Sequence, residues 1–514
     1  MKKLIVCVDG TWNTPTMEDN GEPAPTNVFK FYRALDDECN DQCAYYHTGI
    51  GTEGGRLANI LDGAFGGSLE DHIRDVYLWL AERYEAGDDV YLLGFSRGAF
   101  TVRCVAGMLK RPGLVTLSSV ASLQARREAV GRAYEAYADK DQRVEVHLPD
   151  DELHNEGKAV PVRFLGVWDT VGALGIPDEL EFTNLMLDRK DRWEFHDTAL
   201  GENVKTARHA MALDEIRASF TVSRWDPASF AESDRDVGEK WFPGVHGDIG
   251  GGYEDSSLSD LALEWMIDEA KQAGLQFHNG VSGQIKGNPL GVMHQSYKGV
   301  FAALRSRPRR APMIAASEPS LDKSVIARQQ ARLINAFDYW PTKRLPPAEQ
   351  TTVEIHARER WNRTGLYVKN GEAYSFDAEG EWMDKGDICD WRGTEKDDDL
   401  TRGDLVRGAL SLVGKLERWL PKETMADLPN TKRLEGAKWF ELVGVVANDG
   451  GKSKAVKNDG SPLPHTYFQP CNHSNPKRPF VVKADGYLYA FANDAWARYD
   501  NNQGSVRLVI TRVS

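Results

Sequence analysis

Gly94-Phe95-Ser96-Arg97-Gly98 follows the apolar run Val90-Tyr91-Leu92-Leu93 and leads into Ala99-Phe100-Thr101-Val102-Arg103. A strand, a sharp turn holding a serine and a helix make a nucleophile elbow, in which the glycines let the turn close and the serine hydroxyl points outward from a strained backbone. Read alone, the pentapeptide is also a tight turn with an N-capping serine; the strand before it and the helix after it favour the nucleophile. A serine hydroxyl is a weak nucleophile near neutral pH, so this chemistry needs a histidine to take its proton and a carboxylate to orient the histidine. In this hydrolase order both follow the nucleophile, on loops leaving the carboxyl ends of strands. Val162-Arg163-Phe164-Leu165-Gly166-Val167-Trp168 reads as a buried strand that delivers Asp169, and Lys240-Trp241-Phe242-Pro243-Gly244-Val245 as a weaker one that delivers His246 into the glycine-rich Gly247-Asp248-Ile249-Gly250-Gly251-Gly252. His209, in the helical pattern 207–215, is the competing base, and Asp248 and Asp214 are the competing acids.

The elements that must position these groups start at the amino end. Leu4-Ile5-Val6-Cys7-Val8 is a continuous apolar run, as a central parallel strand shows, and it ends in Asp9-Gly10-Thr11-Trp12-Asn13. That turn falls beside the elbow, so the backbone N–H groups of Gly10 and Thr11, with that of Arg97, are expected to form an oxyanion hole. Strand-Asp-Gly-Thr also suggests an aspartate-dependent phosphatase, but the nucleophilic aspartate of that chemistry belongs two residues earlier, where Cys7 stands.

Five motifs in order, Asp9-Gly10-Thr11-Trp12-Asn13, Thr48-Gly49-Ile50-Gly51-Thr52, Gly94 to Phe100, Val167-Trp168-Asp169-Thr170-Val171-Gly172 and Trp241 to Gly252, resemble the α/β-hydrolase family DUF2235. That family includes the catalytic domains of one class of type VI secretion lipase effectors, the G-x-S-x-G phospholipases. The resemblance covers roughly the first half of the chain. It implies a Ser96, Asp169, His246 triad, no cofactor for catalysis, and phospholipase A activity on the acyl esters of membrane glycerophospholipids. It further implies an antibacterial effector exported to a target cell by a type VI system, with secretion-apparatus and immunity proteins as partners. The amino terminus, Met1 to Asp9, is too short in its apolar part for a signal peptide and runs straight into the first strand, so synthesis in the cytoplasm without one is expected. An esterase acting on a soluble acyl substrate inside the producing cell is the alternative enzyme, and a carbohydrate-binding interaction protein with an inactive hydrolase domain the alternative of another class.

A chain of 514 residues with 41% hydrophobic residues is long enough for two domains with ample cores. Its formal charge of -14 argues against nucleic acid as a partner, since phosphate binding is driven by clustered Lys and Arg. The dense basic run Arg305-Ser306-Arg307-Pro308-Arg309-Arg310 reads as a solvated loop, with contact to anionic headgroups as the alternative. No segment is long enough to span a bilayer, and the six scattered cysteines suggest neither a disulfide framework nor a zinc site.

The expected architecture is α/β: an α/β-hydrolase-like, mostly parallel sheet with helical insertions over residues 1–338, a linker at 339–350, and a β-sandwich over 351–514 with a helical insert near 388–436. Charged helical stretches at 118–141 and 178–215 are expected as insertions that build a lid or cap, and 257–274 as a helix, with helical structure continuing to about 335. Beyond the linker the period changes to two: Tyr374, Phe376, Ala378, Gly380 and Trp382 alternate with polar residues after an Asn370-Gly371 hairpin turn. Strands are expected at 439–446, 487–491 and 506–510. The loop 493–505 is rich in the hard oxygen donors that calcium prefers. With Gly365 to Gly371 upstream, it resembles the PA-IL-type galactophilic lectin. That resemblance implies a calcium ion held by Asp494, Asn501 and Asn502 with backbone carbonyls near Arg498 and Lys385, and a sugar or glycolipid bound through the metal.

Overall fold

A computed structural model describes residues 1–11, 13–49, 69–118, 120, 122–138, 148, 152–172, 199–231, 233–299, 305–331, 338–384, 387–394, 432–451 and 463–514. The first strand, β1 (Lys3–Val8), splits its apolar side chains between two cores: Leu4, Val6 and Val8 face one, Ile5 and Cys7 the other. Period-2 alternation with apolar residues on both faces is what a strand covered by helices on both sides requires. The helix α1 (Asn27–Ala34) and the strands β2 (Gln42–His47), β3 (Asp89–Phe95), β4 (Val162–Trp168), β5 (Val204–Ala212) and β6 (Asp236–Phe242) complete the first layers. The sheet runs β2-β1-β3-β4-β5-β6, every neighbour parallel.

The helices α2 (Leu69–Arg83), α3 (Arg97–Lys110) and α4 (Leu123–Ala138) cover one face through Ile73, Val76, Leu80, Val102, Val105 and Val130. After the short helix α5 (His246–Gly250), α6 (Ser257–Gln272) joins α1 on the other face, where Leu258, Leu261, Ala262 and Met266 pack against Phe164 and Trp168. The strand order reverses between β1 and β3, so the crevice at their carboxyl ends is the site such a sheet offers to a ligand. No helix among the described residues is long and apolar enough to cross a membrane, and all six cysteines are free.

Three expectations change here. The stretch 207–215 is not helical: 204–212 is strand β5, buried from Ala207 onward between two neighbours. Its run of alanines suits either structure, and the pairing with β4 and β6 decides. The described residues of 273–322 do not continue α6 as helix apart from a single turn at Val281–Gln284; α7 (Lys323–Gln330) follows later. Of the second expected insertion, 178–198 lies outside the described residues, and the rest is largely β5.

The carboxyl-terminal half is antiparallel. Strands β7 (Gln350–His356), β8 (Asn362–Val368), β9 (Ala373–Asp384), β10 (Asp387–Cys389), β11 (Leu442–Ala447), β12 (Thr466–Phe468), β13 (Phe480–Val481), β14 (Gly486–Ala492) and β15 (Asn502–Arg512) form two sheets, β8-β14-β11-β12 and β10-β9-β15-β7, with β13 against β9. Leu366, Phe376, Trp382, Leu442, Leu488 and Leu508 fill the space between the sheets. Asn370-Gly371 joins β8 to β9, but the two are not a hairpin; they belong to different sheets, and Gly371 donates to the Val482 carbonyl. The helical insert expected near 388–436 lies mostly at 395–431, outside the described residues, and its start is strand β10.

The stretch 339–350, expected as a linker, is packed in its first half. The Tyr339 hydroxyl and the Trp340 indole N–H both donate to Asp214, each at 2.7 Å, and Leu345 enters the sandwich core. Met211 and Trp241 of the parallel sheet, Ile314 and Trp340 of the connecting segment, and Val443, Val445, Tyr487 and Tyr489 of the sandwich share one apolar cluster. That cluster covers the outer face of β11 and β14, which is why both strands are buried throughout.

Candidate active site

Ser96 sits between β3 and α3 with φ 56° and ψ -121°, a region that L-residues avoid, so the elbow stores strain that the surrounding packing must hold. A Cβ on Gly94 would lie 2.5 Å from the Gly98 carbonyl oxygen, and one on Gly98 would lie 2.3 Å from that of Val8. Both contacts are with backbone, which cannot swing aside; glycine is required at each. The turn is pinned by the Ser96 N–H donating to the Trp168 carbonyl at 3.0 Å, which ties the end of β3 to the end of β4.

His246 opens α5 just beyond β6, and its Nε2 lies 2.9 Å from Ser96 Oγ. Its Nδ1 lies 2.6 Å from Asp169 Oδ2, directly after β4. Three residues 77 and 150 positions apart in sequence are thereby joined in one hydrogen-bonded line, all buried. Burial holds the His246 imidazole below the ordinary histidine pKa, with Asp169 only partly offsetting it, so the ring is neutral near pH 7 and its Nε2 can accept a proton. The rings of Phe95 and Phe220 flank the imidazole at centroid distances of 4.6 and 4.9 Å. Gly250 makes room for Phe95, since a Cβ there would lie 2.0 Å from that ring. Glu215, held by Arg217, accepts the His246 backbone N–H at 3.2 Å and fixes where α5 starts.

The competing residues have other partners. His209 is buried on β5, where its Nε2 accepts the Thr170 N–H at 3.1 Å and so braces the loop that carries Asp169. Asp248 takes the His294 Nδ1 at 2.6 Å, and Asp214 takes Tyr339 and Trp340.

Of the expected oxyanion donors, Gly10 lies against the serine, where a Cβ on it would be 3.2 Å from that of Ser96, but its N–H is engaged. Its N–H is taken by the Asp9 carboxylate at 2.7 Å, and that carboxylate also receives the hydroxyls of Thr26 and Tyr46 at 2.6 and 2.7 Å. Burial raises the Asp9 pKa against these bonds. Asp9 thus acts as the internal clasp of the β1 loop and occupies the donor beside it. Thr11 and Arg97 keep positions on the two loops that flank Ser96, the first after β1 and the second at the start of α3.

The basic run at 305–310 is not a solvated loop. Arg309 is buried and reaches Asp169 with both terminal nitrogens, Nη1 to Oδ1 at 2.6 Å and Nη2 to Oδ2 at 2.8 Å. Burial works to raise the Asp169 pKa; the Arg309 guanidinium and His246 override it and hold the carboxyl well below the usual carboxylate range. No local signal separates Arg309 from the arginines beside it. Its need arises from a buried carboxylate 140 residues away.

In the carboxyl-terminal loop, Asp494 and Asn502 are buried and Asn501 is half-buried. The Asn502 amide donates to the Ala357 carbonyl at 3.2 Å while its Oδ1 is buried without a hydrogen-bond donor, and the Asn501 amide donates to Asp384. A buried acceptor oxygen lacking a donor fits a hard cation. Lys385 lies outside the described residues.

A parallel sheet in this order, with a strained serine turn at the carboxyl end of β3, defines an α/β-hydrolase-like protein. Residues 2–269 match the family of T6SS phospholipase effectors, Tle1-like, catalytic domain, and the chain belongs to that family. The uncharacterized protein YEL023C of Saccharomyces cerevisiae is 32% identical over 250 residues, covering 45% of this chain and 33% of that one; the chain spans about a third of the length of this relative. Among solved structures, the Tle1 effector bound to the VgrG spike of the type 6 secretion system aligns with 18% identity over 49% of this chain and 51% of that one, at a TM-score of 0.26. The EclA N-terminal domain, described as a PllA-like lectin, aligns with 17% identity over 31% of this chain and 94% of that one, at a TM-score of 0.15.

Proposed function

We propose that the chain is a serine esterase of the phospholipase A type, hydrolysing acyl esters of glycerophospholipids. The observation that carries this reading is the line Ser96 Oγ, His246 Nε2, His246 Nδ1, Asp169 Oδ2, with both hydrogen bonds under 3 Å in a buried site. In the acylation step His246 takes the Ser96 proton as Oγ attacks the ester carbonyl, and Asp169 holds the tautomer whose Nδ1 is protonated and stabilises the imidazolium. The N–H groups of Arg97 and Thr11 are the proposed donors to the oxyanion, one from each loop flanking the serine. Collapse of the tetrahedral adduct expels the lysolipid alkoxide, which receives the proton from His246. Water activated by the same histidine then releases the fatty acid and restores Ser96. This sequence needs no metal.

Membership of a type VI phospholipase effector family supports delivery by a type VI system; the proposed role is antibacterial, with a spike protein as the partner in export and an immunity protein protecting the producer. Membrane phospholipid is the proposed substrate. In the β-sandwich, Asp494, Asn501 and Asn502 would hold a calcium ion, and a sugar or glycolipid recognised there would raise the local concentration of substrate. The test is a panel of phospholipid vesicles of varied headgroup, incubated with the full chain and with Ser96→Ala. Free fatty acid and lysolipid in equal amounts, from the wild-type chain alone, is the expected result. Release of a phosphorylated headgroup without fatty acid would overturn the assignment of the cleaved bond.

A further inference from the structure

Arg309 makes four hydrogen bonds through its two terminal nitrogens. Besides both Asp169 oxygens, Nη1 reaches the Ala212 carbonyl at 2.7 Å and Nη2 the Phe220 carbonyl at 2.6 Å. With both terminal nitrogens each held by two acceptors, the fork cannot turn without breaking bonds to Asp169, and the carboxylate it grips is fixed with it. The residues just before it are held from the other domain. Arg307 pairs with Asp449, and its Nη2 lies 3.1 Å from His465 Nδ1. His465 Nδ1 also accepts the Asp449 N–H at 3.1 Å, so the ring proton is on Nε2, which donates to the Pro308 carbonyl at 2.8 Å. Asp449 follows β11 and His465 precedes β12; both are buried. The sandwich therefore clamps the main chain one residue from the arginine that touches the proposed triad acid.

We propose that Arg309 is a positioning residue for the Asp169–His246 pair, held in register by the grip of the β-sandwich on Arg307 and Pro308. The inference rests on the serine-esterase reading and deepens it.

The physical case is electrostatic. Asp169 and His246 share a hydrogen bond in a buried site, so they titrate as a unit rather than as two separate groups. The charged groups facing that unit are Arg309 from the connecting segment, and Glu215 with Arg217 from the loop after β5; His209, buried on β5, stands behind Thr170. Removing the Arg309 charge makes the unit bind its proton more tightly whichever member carries it. The acid limb of kcat/KM, which reports the free enzyme, then moves to higher pH. A residue that serves only as scaffold would lower the rate without moving the limb.

The experiment measures kcat/KM against pH for the full chain on a short-chain nitrophenyl ester. Arg309→Gln is expected to move the acid limb up by about one unit or more, the size of effect an opposite charge exerts at this range. Arg309→Lys keeps the charge but loses the fork; the limb is expected within about half a unit of wild type, a fraction of the shift a full charge produces, with kcat reduced. His465→Leu, which releases Pro308 without touching the reacting groups, is expected to move the limb in the same direction as Arg309→Gln by a smaller amount. An unmoved limb in Arg309→Gln, or full wild-type kcat in Arg309→Lys, overturns the positioning role. The Lys variant retains the charge on a buried site and decides between the two roles if the Gln variant does not fold. Wild-type rate and limb in His465→Leu overturn the part given to the sandwich. Absence of any esterase activity in the wild-type chain would instead overturn the serine-esterase reading itself.

Discussion

Asp169→Asn is the substitution whose outcome the geometry determines most tightly. The four donors around the carboxylate are His246 Nδ1 and Arg309 Nη2 on Oδ2, and the Ala212 N–H and Arg309 Nη1 on Oδ1. An asparagine brings one acceptor and one donor group, so its NH₂ must face N–H on whichever side it is placed. Toward Oδ1 it meets Ala212 and Arg309; toward Oδ2 it forces His246 into the tautomer that presents Nε2–H to Ser96, and that ring cannot act as a base. Loss of the correct tautomer in triads of this kind lowers turnover about 10⁴-fold, equivalent to about 5.4 kcal/mol of transition-state stabilisation. The same change leaves the buried Arg309 charge without its carboxylate, a loss of about 3–5 kcal/mol where buried pairs have been broken. Against a typical domain stability of about 5–15 kcal/mol, the variant is expected to fold with a lowered Tm. The assay is nitrophenyl ester turnover with circular dichroism and a thermal melt on the same preparation. A folded Asp169→Asn variant that retains more than about a tenth of wild-type kcat, where this tautomer argument requires a loss of several decades, would refute the reasoning.

Other outcomes follow from the same structure. Because burial depresses the His246 pKa, the imidazole stays neutral to lower pH than an ordinary histidine, and the acid limb of wild-type kcat/KM is expected below about 6.5, the unperturbed value; a midpoint above about 7, beyond that unperturbed value, would contradict the assigned environment. His209→Ala removes the acceptor of the Thr170 N–H and is expected to lower stability by about 1–3 kcal/mol with a loss of kcat far smaller than that of His246→Ala; the reverse ranking of the two variants by kcat would exchange their roles. Gly98→Ala drives a Cβ against backbone and is expected to destabilise by about 1–3 kcal/mol or more, read as a fall in Tm; an unchanged Tm would mean that the elbow has slack. Calcium is expected to raise the Tm of the full chain through mass action, magnesium much less, with the shift absent in Asp494→Ala; no shift in the wild-type chain would remove the metal from the proposal.

The legible parts of the site were those whose requirements are local. Ser96 is announced by a strand, two glycines that backbone contacts demand, and a helix. Asp169 and His246 stand where β4 and β6 end, as this sheet requires. The illegible parts depend on partners distant in sequence. Arg309 looks like its neighbours until the buried Asp169 is seen to need a counter-charge. Gly10 fails as an oxyanion donor because the adjacent Asp9 side chain, itself held by Thr26 and Tyr46, takes its N–H first. Residues 207–215 carry alanines and charges at helical spacing, and only the pairing with β4 and β6 makes 204–212 a strand. Asn370-Gly371 has hairpin chemistry, yet the strands it joins pair elsewhere, because a sandwich must pass its chain from one sheet to the other.

The central claim is that Ser96 is an activated nucleophile. Fluorophosphonate labelling of the full chain, with the modified peptide located by mass spectrometry, tests it directly, since an unactivated hydroxyl does not react at a useful rate. The expected result is one adduct at Ser96, formed with a rate that falls as His246 is protonated and abolished in His246→Ala. A wild-type chain that folds and stays unlabelled, or that carries the adduct on another residue, would contradict the account.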